Sequence, residues 1–281
     1  MRVKISADST CDLPPEIISR YNIGITPLYI IMDNQSYKDG LEIKVKDIFD
    51  YVESGAGMTR SSAVNVSDYQ EPFAQWLKEY DAIVHINISQ HFSSCHQSAK
   101  VAAEGLDNIY IVDSMNLSTG SGHIVLDAAI MAEQGLPPEE IVKNLNSLTP
   151  RVEASFIIGM IKYLYLGGRC SGLAALGANL LKLNPCIEVI DGKMHVGKKY
   201  RGGFEKVVLK YVTDKLANRS DIDNKRLFIT YPPGMSGDIV EKVREKAMSL
   251  CNFEEILTSE AGCVISNHCG PICLGVLFYR K

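Results

Sequence analysis

The sequence predicts an α/β protein with two domains: an N-terminal three-layer α/β/α domain with a parallel sheet over residues 1–150, and a C-terminal two-layer α+β domain with a mixed sheet over residues 151–281. Strands and helices alternate along the first half, as they do around parallel sheets. In the second half, Asp191-Gly192 separates two strand-like runs, and this dipeptide favours a tight antiparallel hairpin. The length of 281 residues is typical of about two domains. We place the boundary near Thr149-Pro150-Arg151.

The first half is assigned from the period of its apolar residues. Continuous apolar runs predict strands at 3–5, 25–31, 82–88 and 109–112, with a short extended piece at 37–40. Helical spacing predicts helices at 15–21, 45–54, 66–79, 93–105, 121–134 and 138–148. Pro14-Pro15 opens the first helix, and Asp12 is the expected N-cap.

The second half contains more strands and fewer helices. Strands are expected at 153–158, 186–190, 193–196, 227–231, 253–257, 262–267 and 272–279. Helices are expected before Leu166 and at 173–181, 203–217 and 236–248. We expect these helices on one side of the sheet.

Composition excludes several classes of protein. The formal net charge is -4, and no basic run favours nucleic acid binding. No apolar stretch reaches the ~20 residues of a membrane span, and the N-terminus has no apolar signal core. The eight cysteines form no Cys-x-x-Cys pair, so we expect reduced thiols and a cytoplasmic location.

Hydroxyl side chains follow several predicted strands. Ser61-Ser62 and the group Ser89, Ser93 and Ser94 stand in such places, and His268 follows the run 263–267. In open α/β sheets, ligands bind beyond the carboxyl ends of the strands. Neutral donors gathered there suit the capture of a small anion without catalysis.

Each of these residues also has a purely structural interpretation. Ser93 stands where a helix N-cap is expected, although free N–H groups at a helix start also attract anions. Gly270-Pro271 imposes a turn that would hold His268 in place. Arg169 follows Gly167-Gly168, which indicates either a helix C-cap with a surface arginine or a guanidinium turned toward the site.

The residues alone also suggest two other chemistries. A zinc site would need Cys263, His268, Cys269 and Cys273 to converge, whereas buried structural thiols explain the same residues. A serine hydrolase would use Ser93, Asp113 and His268 in that order, but no G-x-S-x-G elbow surrounds Ser93. No phosphate-binding or dinucleotide-binding glycine motif is present, which disfavours ATP and NAD as cofactors.

Seven motifs in register resemble the DegV family over essentially the whole chain. They are Asp8-Ser-Thr-Cys-Asp-Leu-Pro14, Thr26-Pro-Leu28 with Tyr37-Lys-Asp-Gly40, Ile88-Ser89 through Gln97-Ser-Ala99, Val112-Asp-Ser114, Tyr165-Leu-Gly-Gly-Arg169, Asn184-Pro185 and His268-Cys-Gly-Pro271.

The resemblance implies a two-domain bacterial protein that buries a long-chain fatty acid between its domains. Some members are subunits of fatty-acid kinase, which present the acyl carboxylate to a separate catalytic subunit. On the matching positions, the resemblance implies that Ser61, Ser62, Ser93 and His268 bind the carboxylate. It also implies that Arg169 and Arg201 lie at the head-group mouth or contact the partner.

The chain departs from the family pattern at Ala63-Val64-Asn65, Ser94-Cys95 and Ile272. We expect Ser94, Cys95 and Ile272 to alter the shape of the pocket or the path of the tail.

These observations lead to the hypothesis of a non-catalytic fatty-acid carrier without cofactor or metal. Its expected partners are the fatty acid, a kinase subunit and, transiently, a membrane surface. The alternatives are a serine hydrolase or acyltransferase, and a binding module for another small acid.

Overall fold

The computed structural model describes residues 1–170, 172–173 and 183–281. Thirteen strands are found within those ranges: β1 Val3–Asp8, β2 Gly24–Thr26, β3 Tyr29–Met32, β4 Gln35–Lys38, β5 Arg60–Ser62, β6 Ala82–Asn87, β7 Ile109–Asp113, β8 Val152–Ile158, β9 Leu183–Ile190, β10 Lys193–Arg201, β11 Ile222–Tyr231, β12 Glu255–Glu260 and β13 Cys273–Arg280.

Ten α-helices are found within the same ranges: α1 Pro15–Arg20, α2 Val45–Glu53, α3 Val66–Trp76, α4 Cys95–Ala102, α5 Ser118–Glu133, α6 Pro138–Leu148, α7 Ile161–Gly167, α8 Phe204–Leu216, α9 Gly237–Leu250 and α10 Cys263–Cys269. The helix expected at 173–181 falls almost entirely outside the described residues.

The first half forms a parallel sheet, as the alternation of strands and helices predicts. Its strand order is β2-β1-β6-β7, and all three pairings are parallel. Helices α3 and α4 pack together, as do α5 and α6, and both pairs contact the sheet. All six residues of β6 are buried, as expected of a strand covered on both faces.

The second half forms a six-stranded mixed sheet in the order β10-β9-β8-β13-β11-β12. Only the β11–β12 pairing is parallel; the other four are antiparallel. Helices α8 and α9 share a separate apolar core with one face of this sheet. The fold class predicted from the sequence is therefore confirmed.

Helix α5 joins the two sheets. It contacts β1 and β6 of the parallel sheet and β8, β11 and β13 of the mixed sheet. Its residues from Ser118 to Ala129 are all buried, as expected of a helix enclosed on every side. The division into domains near residue 150 stays a prediction, since this helix packs on both sheets.

The strand expected at 25–31 is in fact two strands in two sheets. Strand β2 belongs to the parallel sheet, whereas β3 pairs with β4 and β5 in a three-stranded antiparallel sheet. Pro27 lies between them, and its missing N–H interrupts the hydrogen-bonding ladder.

The expected N-cap at Asp12 is also wrong. Helix α1 has Pro14 at its N-cap position, and Asp12 adopts a left-handed conformation with φ 48°. Its carboxylate bonds elsewhere, to Ser118 and Gly262.

The run at 262–267 is a helix rather than a strand. Helix α10 spans Cys263–Cys269, and carboxylates distant in sequence accept the N–H groups of Gly262 and Cys263. A short apolar run has no period that separates helix from strand, so the partners supplied by tertiary structure decide.

The hairpin prediction is confirmed. Asp191 and Gly192 have φ values of 50° and 74°, as both central residues of a type I′ turn require. The turn joins β9 to β10 in an antiparallel pair.

Candidate functional site

Five of the residues expected at the site line one cavity. They are Ser61, Ser62, Ser93, Arg169 and His268. The rest of the lining is almost entirely apolar and comprises Leu28, Ala63, Ile88, Phe92, Leu117, Met194, Val264, Ile265 and Cys269. No acidic side chain lines this cavity among the described residues, so its polar end suits an anion.

The two serines of the 61–62 pair stand on a strand, although their sequence also fits an ordinary loop. Strand β5 pairs with β3, which places Ser61 opposite Ile30 and Ser62 opposite Tyr29. Strand geometry turns successive side chains to opposite faces, yet both residues reach the cavity at the end of this short strand.

His268 reaches the cavity from α10. The Ser61 hydroxyl and His268 Nε2 are hydrogen-bonded at 2.7 Å, and Thr59 also bonds to Asn267 on the same helix. Burial, and secondarily the positive charge of Arg169, lower the pKa of His268 to about 4. The imidazole is therefore neutral at pH 7.

The other ring nitrogen of His268 is tightly enclosed. Nδ1 is buried and has no hydrogen-bond partner among the described residues. A Cβ atom added at Gly167 would lie 2.2 Å from it. Glycine at 167 therefore leaves the space for the imidazole.

Ser93 lies in the turn that precedes α4 rather than at the helix start. The N-cap of α4 is Ser94, which makes no side-chain capping bond. Ser93 Oγ instead accepts the N–H of Cys95 at 3.3 Å and bonds to its Sγ at 3.1 Å. The residue thus has a structural role in the turn as well as a position on the cavity wall.

The start of the segment that leads from β6 to Ser93 is held by a buried carboxylate, Asp8, which the sequence patterns do not mark as a site residue. Asp8 Oδ2 accepts the backbone N–H of Ile88 at 3.0 Å. Asp8 Oδ1 accepts the Tyr69 hydroxyl at 2.6 Å and the Asn87 amide at 3.1 Å. The position of Asp8 at the start of a recognised motif was the signal that could have found it.

Arg169 closes the solvent side of the cavity. Helix α7 ends at Gly167 and is capped by Gly168, which has φ 69°, and Arg169 follows this left-handed cap. Its Nη1 donates to the Gly167 carbonyl at 2.8 Å. Beyond it lies a recess of about 300 Å³ that also contains His91 and Lys193, so the entrance is basic.

Four residues expected near the site line neither the cavity nor this recess. Arg201 and Ser94 are exposed, Arg201 on β10 and Ser94 at the start of α4. Cys95 is buried, and its pKa is raised to about 12 by burial and by Asp8. Ile272 is 39% exposed, and its carbonyl accepts the N–H of Gly159 at 2.8 Å.

A second apolar cavity continues from the first. The two share Leu117, Ile265 and Cys269, and Phe156 and Leu277 of the mixed sheet line the second. Their volumes are only about 40 Å³ and 30 Å³, room for a few water molecules. A long ligand must therefore move side chains apart.

A much larger cavity lies elsewhere and has different chemistry. It encloses about 660 Å³ and is lined by Asp113, Glu153, Glu188 and Lys215 among others. Lys215 is paired with Glu188 at 2.6 Å. With Asp191 and Arg280 included, four carboxylates and two cations line this cavity, so its charge is net negative and it suits a carboxylate ligand poorly.

The position of Asp113 also disfavours the hydrolase hypothesis. Asp113 lines this larger cleft and accepts the backbone N–H of Met115 at 2.8 Å, whereas His268 bonds to Ser61. Ser93, Asp113 and His268 therefore do not form the hydrogen-bonded chain that a catalytic triad requires.

The structure also disfavours the zinc hypothesis. No group of three or more His, Cys, Asp or Glu residues in the described ranges is placed to hold a metal ion. Cys263, Cys269 and Cys273 are buried free thiols.

In the described part of the chain, no helix is both long and apolar enough to cross a membrane.

Comparison with known proteins gives one consistent answer. The DegV family model matches residues 2–281. A DegV domain-containing protein of Clostridium acetobutylicum is 32% identical, with 100% of this chain and 99% of that protein covered. A protein of Thermotoga maritima named as a fatty acid-binding protein is 28% identical, covering 98% of this chain and 96% of its own.

A solved structure has the same fold. The DegV family protein of Thermus thermophilus, described with fatty acid binding, superposes with a TM-score of 0.89 at 30% identity, and both chains are covered completely. The family model and these relatives span the whole length of the chain. This protein belongs to the DegV family.

Proposed function

We propose that this protein binds a fatty acid and presents its carboxylate to a separate kinase. The observation that carries the proposal is one cavity whose lining combines apolar side chains with Ser61, Ser62, Ser93, His268 and Arg169. The names of the relatives from Thermotoga maritima and Thermus thermophilus support a fatty acid as the ligand.

The polar end of the cavity suits a carboxylate. Serine hydroxyls donate hydrogen bonds, and a neutral histidine donates from whichever ring nitrogen carries the proton. Bonds of this kind to a charged acceptor contribute about 1.5–3 kcal/mol each. The acyl tail would follow Leu117 and Ile265 into the second cavity, where burial contributes about 0.8 kcal/mol per CH₂.

The basic entrance fits transfer of a phosphoryl group to the bound acid. Arg169 and Lys193 line the recess outside the head-group end, where their charges would stabilise phosphate oxygens. In that reaction a carboxylate oxygen attacks the γ-phosphorus of ATP held by the kinase. ADP leaves, and an acyl phosphate is formed. No acidic or basic catalyst from this chain is needed.

Native mass spectrometry of the purified protein, before and after addition of oleate, tests the binding step. We expect one fatty acid per chain, and we expect Ser93→Ala to weaken oleate binding at least about tenfold. Ser94→Ala is the matched control, because Ser94 is exposed beside the site. Equal affinity of wild type and Ser93→Ala would remove Ser93 from the site.

A fatty-acid kinase catalytic subunit with ATP tests the transfer step, with acyl phosphate trapped as the hydroxamate. We expect Arg169→Ala to lower transfer more than it lowers oleate binding. If the loaded protein yields no acyl phosphate with such a kinase, presentation to a kinase is wrong and binding alone remains.

The small volumes of the two cavities favour a second candidate, a carrier of a shorter acid. A series of acids from butyrate to oleate separates the two. Affinity that rises with chain length indicates a tail that opens the apolar path. Affinity that is greatest for the shortest acids would support the small-acid carrier.

A further inference from the structure

Two carboxylates from the first half of the chain hold the helix that carries His268. Helix α10 has Gly262 as its N-cap, and no side chain of its own caps it. Asp12 Oδ1 accepts the N–H of Gly262 at 2.9 Å, and Asp39 Oδ1 accepts the N–H of Cys263 at 2.9 Å. The first N–H groups of a helix have no partner within the helix, so these bonds replace a local cap.

Both carboxylates are themselves fixed in place. Asp12 is 6% exposed and Asp39 is 5% exposed. Asp12 Oδ2 accepts the Ser118 hydroxyl at 2.5 Å, and the Ser9 hydroxyl donates to Asp39 Oδ2 at 2.7 Å. Their oxygens converge on one point, since a Cβ at Gly262 would lie 3.1 Å from Asp12 and 3.5 Å from Asp39.

The other end of the same helix reaches the carboxylate site. His268 stands five residues after Cys263, or about 7.5 Å along the axis at 1.5 Å per residue. Its imidazole must meet Ser61 at 2.7 Å on β5, a strand from the first half of the chain. A rotation of α10 by one residue would swing the ring about 100° away from the cavity.

We propose that Asp12 and Asp39 are positioning residues for the head-group site: they set the depth and rotation of α10 and thereby place His268 against Ser61. This inference rests on the proposed function, because the site it serves is the one assigned to the fatty-acid carboxylate. It also accounts for Asp12 of the Asp8–Pro14 motif and Asp39 of the Tyr37–Gly40 motif, two motifs that contribute no side chain to the cavity.

The test compares Asp39→Ala with Asp39→Asn. The amide oxygen of asparagine can still accept the N–H of Cys263, whereas alanine leaves that N–H and the Ser9 hydroxyl proton without an acceptor. We expect Asp39→Ala to weaken oleate binding about tenfold, and Asp39→Asn to change it by less than about threefold.

A double-mutant cycle separates positioning from general destabilisation. If Asp39 acts through His268, then Asp39→Ala has little further effect on oleate affinity in a His268→Ala background. Asp127→Ala is the control, because Asp127 is also buried but lies on α5, away from α10. We expect it to lower stability without changing oleate affinity.

NMR titration of His268 in the ligand-free protein supplies a readout that does not depend on the ligand. Loss of the hydrogen bond from Cys263 N–H to Asp39 exposes the imidazole. The pKa of His268 should therefore rise toward the ordinary value of about 6.5 in Asp39→Ala and not in Asp39→Asn. An unchanged titration, or equal effects of Asp39→Ala on affinity with and without His268, would overturn the inference. If the wild type binds no oleate, the proposed function fails. The NMR comparison still decides whether Asp39 positions His268.

Discussion

At the scale of single residues, the site depends on one glycine as much as on its hydroxyls. Gly167 and His268 lie so close that a Cβ at 167 would stand 2.2 Å from Nδ1. The Gly167-Gly168-Arg169 motif thus has three separate tasks. Its first residue makes room for the imidazole, its second ends α7 in a left-handed conformation, and its third closes the entrance.

We expect Gly167→Ala to displace the imidazole and to weaken oleate binding by about tenfold or more, since such overpacking costs about 1–3 kcal/mol. Isothermal titration of oleate measures the effect. Gly168→Ala is the matched control. It has φ 69° and no atom within 4 Å of its added Cβ, so it should lower stability by about 1 kcal/mol while affinity stays close to that of the wild type.

The pKa of His268 predicts how stability depends on pH. In the unfolded chain the pKa is about 6.5, whereas burial beside Arg169 lowers it to about 4 in the folded protein. The unfolded state therefore binds more protons between these values. The contribution of the neutral imidazole to stability is complete above pH 6.5 and is lost as pH falls toward 4.

Urea unfolding at pH 7 and pH 5 checks this prediction. We expect the wild type to lose roughly 1–2 kcal/mol more than His268→Gln over that interval. The comparison with the variant is needed because burial also lowers the pKa of His123 to about 4. Equal losses in the two proteins would show that His268 is already exposed and titrates normally.

At the scale of elements, the β9–β10 hairpin links the two halves beside the site. Ser89 Oγ donates to the Gly192 carbonyl at 2.9 Å, and Met194 of the same hairpin lines the cavity. A Cβ at Gly192 would lie 2.7 Å from Ser89 Oγ and 2.9 Å from the His91 ring. The turn is therefore constrained both by its own backbone and by its contact with the loop after β6.

Gly192→Ala should lower the free energy of unfolding by about 2 kcal/mol, since it combines left-handed backbone strain with overpacking. Urea denaturation followed by circular dichroism measures it. Gly237→Ala is a suitable control, because nothing lies within 4 Å of its added Cβ at the start of α9. A small loss of stability in Gly192→Ala would mean that the tip of the β9–β10 hairpin readily moves away from Ser89.

At the scale of the whole molecule, a buried ion pair connects α5 with the mixed sheet. Asp127 and Arg226 are each 3% exposed, and Arg226 Nη1 lies 3.3 Å from Asp127 Oδ1. Lys225 Nζ lies 3.0 Å from the same oxygen. Burial alone would raise the pKa of Asp127, but the charges of Arg226 and Lys225 outweigh it and lower the pKa below 3.8.

Asp127→Ala should cost about 3 kcal/mol, because it removes one of the two carboxylates that pair with the buried guanidinium of Arg226, while Glu255 Oε2 stays 3.0 Å from Nε. Chemical denaturation measures the loss. Asp50→Ala is the contrasting variant, since Asp50 pairs with Lys46 on the surface and such pairs contribute at most about 1 kcal/mol. Similar losses in both variants would show that water reaches Arg226.

The sequence by itself determined the elements whose information is local. The apolar runs at 82–88 and 109–112 predict strands, and Asp191-Gly192 predicts its hairpin, because residue period and turn chemistry act within a few positions. Of the two strands, only β6 is buried throughout, since β7 lies at the edge of the sheet. The resemblance to the DegV family also indicated Ser61, Ser62, Ser93, Arg169 and His268, which the structure brings to one cavity.

Only the tertiary structure decided the conformation of the short apolar runs and showed which aspartates hold the helix of His268. Residues 262–267 form a helix because Asp12 and Asp39, more than 220 residues earlier, accept its first N–H groups. The run at 25–31 divides because its two parts pair with different sheets. The helix has no local signal, since hydrogen-bond partners supplied by a distant segment are absent from the pattern of the segment itself. Pro27 is a local sign of the break within 25–31, but the sheets that the two parts join depend on distant strands.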